Sequence, residues 1–215
     1  MRRNLPRFFL LLVLVLGAAL AHAARADQIE VREARLEQGE DALQLAAEFQ
    51  FDFNPRLEQL VANGVPLYFV LEFELTRPRW YWFDEKASVR RLQTRLSYHA
   101  LTRQYRLSTG LLQQNFSTLA EALAVLRRVR GWPVLDRGAM TPDAAYQAAV
   151  RMRLDIALLP KPFQVSALTS REWHLESDWY RFSYKVPATI AAPSAQAPPA
   201  ALPSSPERRE EGTSK

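Results

Sequence analysis

From Leu43 to Phe53 the chain alternates. Leu43, Leu45, Ala47, Phe49, Phe51 and Phe53 fall on one side, and Gln44, Glu48, Gln50 and Asp52 on the other. A period of two marks a strand with one buried face. Leu67, Phe69, Leu71, Phe73 and Leu75 repeat the pattern against Tyr68, Val70, Glu72 and Glu74. Between Val89 and Tyr98, Leu92, Thr94, Leu96 and Tyr98 oppose Arg91, Gln93 and Arg95. Over 146–158, Tyr146, Ala148, Val150, Met152, Leu154, Ile156 and Leu158 oppose Gln147, Arg151, Arg153 and Asp155. Gln28 to Leu36 is a weaker strand whose parity slips near Glu33, as a bulge would cause. Shorter strands are expected at 103–109 and 173–183.

Two helices interrupt the strands. Asn54 as N-cap, Pro55 at the first position and Gly64 past the end bracket a helix over Arg56 to Asn63. Thr118 and Glu121 form a capping box for a helix over Leu119 to Arg130. Arg127, Arg128 and Arg130 then complement its dipole, and Gly131 and Pro133 stop it. Antiparallel strands with one apolar face must hide those faces against a second sheet. The fold predicted is therefore mainly β: a two-sheet antiparallel β-sandwich, immunoglobulin-like in outline, with two short helices. The alternative is an α+β layer with both helices on one sheet.

The ends of the chain depart from this pattern. Arg2, Arg3 and Arg7 precede an apolar run of thirteen residues, Phe8 to Leu20, and Ala21-His22-Ala23 and Ala24-Arg25-Ala26 offer small-x-small cleavage sites. The run is shorter than the roughly twenty residues that cross a bilayer, so residues 1–26 read as a removable export signal. The competing reading is an uncleaved anchor, because only small residues and His22 interrupt Phe8 to Ala24. A single domain is expected over 27–186. Residues 187–215 are rich in Pro, Ala and Ser and hold no aromatic side chain, the composition of a disordered tail.

Removal of the leader changes the charge argument. The formal net charge is +5, but four arginines belong to residues 1–26, leaving +1 for the remainder. A high isoelectric point that resides in the leader gives no reason to expect a nucleic-acid partner. Residues 27–76 hold eleven acids and three bases, whereas 77–130 hold eleven bases and three acids. Facing acidic and basic strands would produce this, and so would a polarised surface. On the first reading the strand at 67–76 pairs antiparallel with that at 89–98 and sets Glu72 and Glu74 opposite Arg91 and Arg95. There is no cysteine, which excludes disulfides, thiol catalysis, thiolate metal sites and a lipidated cysteine.

Candidate chemistry is sparse. His99 and His174 lack the neighbours of a zinc motif, and no nucleophile elbow, P-loop or dinucleotide fingerprint occurs. No metal or cofactor is expected. The dense cluster is Arg77-Pro-Arg-Trp-Tyr-Trp-Phe-Asp-Glu-Lys86. Trp80 and Trp82, bracketed by Arg79, Asp84 and Glu85, could form a stacking platform for a sugar or a partner protein. On the other reading, the aromatic residues simply close the core. If strand parity runs through Pro78, Tyr81 and Phe83 face inward and Trp80 and Trp82 face outward. Leu159-Pro-Lys-Pro-Phe163 reads as an extended crossover after the last long strand.

The segments at 65–86, 153–168 and 173–179 together resemble a family of exported proteobacterial proteins. Its members are catalogued as proline-rich signal peptide proteins or as a domain of unknown function. The resemblance covers 27–183 and brings no activity, cofactor or catalytic residue. It implies an envelope accessory role, since the family's genes lie beside a nitrogen-regulation-type sensor histidine kinase. The sequence thus leads to a periplasmic, non-enzymatic binding or interaction domain, without a membrane anchor once the leader is cleaved. Its partner would be an envelope protein or a cell-wall glycan. The alternative is a peptidoglycan or other carbohydrate binder, or a hydrolase, using residues 79–86.

Overall fold

The alternating segments form strands that pair antiparallel throughout. The computed structural model describes residues 28–78 and 85–187. In chain order the elements are β1 (Glu30–Gln38), β2 (Ala42–Gln50), α1 (Pro55–Ala62), β3 (Leu67–Arg77), β4 (Glu85–His99), β5 (Gln104–Thr109) and β6 (Leu112–Phe116). They continue with α2 (Leu119–Leu126), β7 (Arg128–Asp136), β8 (Ala145–Leu154), α3 (Lys161–Thr169) and β9 (Tyr180–Lys185). One sheet has three strands in the order β1-β2-β7, and the other has six in the order β6-β5-β4-β3-β8-β9. The result is a mainly β, two-sheet sandwich with three α-helices among the described residues. Its strand order is not that of an immunoglobulin domain, whose first sheet places the fifth and fourth strands beside the second.

The core forms where the predicted apolar parities meet. Leu43, Leu45 and Phe49 of β2 are buried, as are Leu67, Phe69, Leu71, Phe73 and Leu75 of β3. Phe69 stacks on Phe51 and Phe53 at centroid distances of 5.8 and 5.9 Å, and Phe73 meets Trp132 of β7 edge-on at 6.3 Å. Fully burying one such side chain contributes roughly 1.5–3 kcal/mol. Ser88 on β4 also donates a hydrogen bond to the Val134 carbonyl on β7, tying one sheet to the other. The expected slip in β1 is a bulge between Val31 and Glu33, and it turns Ala34 and Leu36 inward.

The α1 helix starts as predicted, with the Asn54 side chain accepting from the Leu57 amide, and Gly64 just beyond it takes a left-handed φ of 83°. The α2 capping box also forms, but the helix ends at Leu126 rather than Arg130. Arg128 to Asp136 instead form β7, because the free edge of β2 pairs with them and sets Val129, Trp132 and Leu135 opposite Ala47, Leu45 and Leu43. Gly131, expected as a helix stop, occupies a strand irregularity at φ 66°. Residues 161–163 are not an extended crossover. Pro160 caps α3 and Pro162 lies in its first turn, where a missing amide hydrogen removes no helical bond. The expected strand at 173–183 is confined to β9, and β6 has no counterpart in the sequence reading.

Candidate functional site

Strand β3 runs through the middle of the larger sheet, flanked by β4 and β8. Its even-numbered residues face away from the core, so Glu72 belongs to the sheet's outer face. The register sets it directly between Arg91 of β4 and Arg151 of β8. The Arg151 Nε donates to Glu72 Oε2 at 2.5 Å, and Arg91 Nε and Arg153 Nη2 lie 3.2 and 3.5 Å from Oε1. The Glu72 side chain is only 6% exposed, so the position is not the solvated one that parity alone suggests. Glu74, expected to face a β4 arginine, faces Val89, while Arg95 faces Tyr68, because in an antiparallel pair the partner of the residue two after Glu72 lies two residues before Arg91.

Burial by itself raises the carboxyl pKa of Glu72. The hydrogen bond from Arg151 and the charges of Arg151, Arg153 and Arg91 outweigh it and hold the group below its ordinary value. Trp179 backs the cluster, its ring 4.6 Å from the Arg151 guanidinium carbon. Arg151 is thereby held between an anion and an aromatic face, a geometry that suits arginine and not lysine. Around this centre the same outer face carries Arg95, Arg106 and Arg181. Arg95 and Arg181 are exposed, and Arg106 donates to Asn115 Oδ1 at 3.1 Å. Trp179 also lines a depression of about 470 Å³ bordered by Glu30, Asp52 and Asp178, so the charge reverses sign beside it.

A carboxylate engaged by three guanidinium groups is not available as a base. It clamps the arginines in place, and the face then offers N–H donors in fixed positions to an anionic partner. Among the residues expected to form the site, Arg79, Trp80, Trp82 and Asp84, with Tyr81 and Phe83, lie outside the described residues. Glu85 opens β4 and accepts from Arg77 Nη2 at 2.6 Å, and Arg77 also donates to Thr141 Oγ1 at 3.0 Å. Glu85 is therefore part of the brace at the end of the β3–β4 pair. His99 and His174 have local partners, Thr102 Oγ1 and the Ser170 carbonyl, each at 3.2 Å. Among the described residues no group of three or more histidine or acidic side chains could hold a metal ion.

Sequence reasoning placed Glu72 and Arg91 across from one another but missed the cluster. Its remaining cations, Arg151 and Arg153, come from β8, and Arg151 lies 79 residues along the chain from Glu72. The available signal was the pairing of one acidic strand with two basic ones, Arg90-Arg91 and Arg151-Met-Arg153. No curated protein and no solved structure shows significant similarity to the chain. Residues 26–183 match the domain of unknown function DUF4390, and the chain belongs to that family.

Proposed function

We propose that this chain is an exported envelope protein whose β-sandwich is a non-enzymatic interaction domain, and that the outer face of the six-stranded sheet docks an acidic protein surface. One observation carries the reading: Arg91, Arg95, Arg106, Arg151 and Arg153 share that face, and the acid at its centre is already neutralised within it. Arginine donors on a rigid sheet recognise carboxylates with fixed geometry, and their summed field speeds encounter with an acidic partner. The arginine-led leader with its small-x-small sites supports export to the periplasm. The resemblance supports an accessory role in envelope signalling.

The test is photo-crosslinking in cells from Gln93, which lies between Arg91 and Arg95 on the outer face, beside a control position at Gln44 on the smaller sheet. A discrete protein adduct from Gln93 and none from Gln44 is expected. Sedimentation of the purified protein with isolated peptidoglycan sacculi, without any adduct from Gln93, contradicts the reading and favours the carbohydrate alternative built on residues 79–86. Amino-terminal sequencing of protein recovered from cells is expected to begin after Ala23 or Ala26; intact Met1 in a membrane fraction contradicts cleavage.

A further inference from the structure

The two sheets differ by three strands; the smaller has its edges at β1 and β7, and the larger at β6 and β9. Ser88 on β4 bonds to Val134 on β7, so the smaller sheet reaches only as far as β4. Beyond it, α2 packs over the inner face of β5, where Leu107 is buried, and leaves Leu112 and Gln114 of β6 exposed. A cleft of about 350 Å³ remains there. That volume lies within the range of small-molecule sites, about 300–1,000 Å³. Its base is apolar: Phe69, Leu71, Leu107, Leu126 and Met152 line it and are buried. At its mouth, Leu112 is 62% exposed and Val125 is 41% exposed.

The polar groups of the cleft narrow the choice of occupant. Thr94 and Thr109 share a hydrogen bond at 2.8 Å, so an alkyl chain lying along this wall leaves neither hydroxyl stranded. Among the described residues no carboxylate lines the cleft, and Arg128 and Arg130 stand at its rim, where they also border a depression on the smaller sheet's outer face beside Glu33 and Glu48. Arg128 forms an exposed pair with Glu48 at 3.6 Å. Arg130 is exposed and has no ion-pair partner among the described residues. From this combination we infer that the cleft binds a single-chain amphiphile with an anionic head group, the chain between the sheets and the head at Arg130. The site lies on the inner face of the larger sheet and is independent of the arginine face outside it.

Isothermal titration of the purified protein with dodecanoate, dodecanol and dodecylammonium tests this. Saturable one-to-one binding of dodecanoate is expected. Arg130→Glu should weaken dodecanoate roughly tenfold, the loss of one charge-assisted contact, and leave dodecanol unchanged. Thr109→Trp should abolish binding of both by filling the cleft, while keeping the far-ultraviolet circular dichroism spectrum and cooperative thermal unfolding of a folded β-protein. If Thr109→Trp does not fold, Val125→Trp at the exposed mouth should give the same loss. The inference is overturned if wild-type protein takes up no dodecanoate at millimolar concentration. It is equally overturned if Arg130→Glu binds dodecanoate as well as wild type, or if dodecylammonium binds as tightly as dodecanoate. A fall from dimer to monomer in the filled variants would show that a second copy occupies the cleft, and would overturn it too.

Discussion

On the outer face of the three-stranded sheet, Arg35 sits between Glu33 and Glu37, at 2.6 and 2.7 Å. On the outer face of the six-stranded sheet, Glu72 sits among Arg91, Arg151 and Arg153. The chemistry is the same with the signs exchanged, yet the surroundings differ. Arg35 is 51% exposed and Glu72 is 6% exposed. Position in the sheet explains the contrast. β1 is an edge strand with one neighbour, whereas β3 has β4 and β8 on either side, each bringing long side chains over it. Exposed pairs are screened and gain little, while a buried carboxylate depends on every donor around it. Only the second cluster can therefore hold a face in a fixed geometry.

The largest effect is expected from Glu72→Lys, which would bury a fourth cation among the arginines and cost about 3–5 kcal/mol of stability or prevent folding. Arg35→Ala, its counterpart on the smaller sheet, should leave the thermal midpoint within the scatter of wild type. A substantial shift for Arg35→Ala would erase the distinction between the faces. Glu72→Gln should cost about 1.5–3 kcal/mol at neutral pH, through loss of its charged hydrogen bonds. Because the folded-state pKa of Glu72 lies below its ordinary value of 4.5, its contribution is present above that value. It is lost as the pH falls through the lower, folded value. Denaturation at a series of pH values should thus show wild type and Glu72→Gln converging on acidification, and parallel curves would contradict the assignment. Trp179→Ala, which removes the aromatic face behind Arg151, should cost only about 0.5–2 kcal/mol.

Much of this architecture was legible in the chain. Parity alone located β2, β3, β4 and β8 and chose their buried sides, because one-sided burial imposes a period of two. The caps at Asn54 and Thr118 were readable because they are local. What failed depended on distant partners. Arg127, Arg128 and Arg130 look like a helix end, yet β2 draws residues 128–136 into its ladder. Leu112-Gln-Gln-Asn-Phe116 is too short and polar to announce itself as β6, and it pairs only because β5 precedes it across a tight turn. The candidate site was legible in part. Charge alternation put Glu72 opposite Arg91, but no local signal shows that Arg151 and Arg153 complete the cluster or that it excludes water.

The central claim is that the arginine face, and not its acidic counterpart, meets the partner. Two charge-reversed proteins test it directly: Arg95→Glu with Arg106→Glu on the larger sheet, and Glu33→Lys with Glu37→Lys on the smaller. All four sites are on outer faces, away from the core, so both proteins should keep the wild-type thermal midpoint to within about 1 kcal/mol. Crosslinked partner recovered from cells should fall to background for the first protein and stay at the wild-type level for the second. Retention by the first protein with loss by the second would contradict the account and transfer the binding role to the three-stranded sheet.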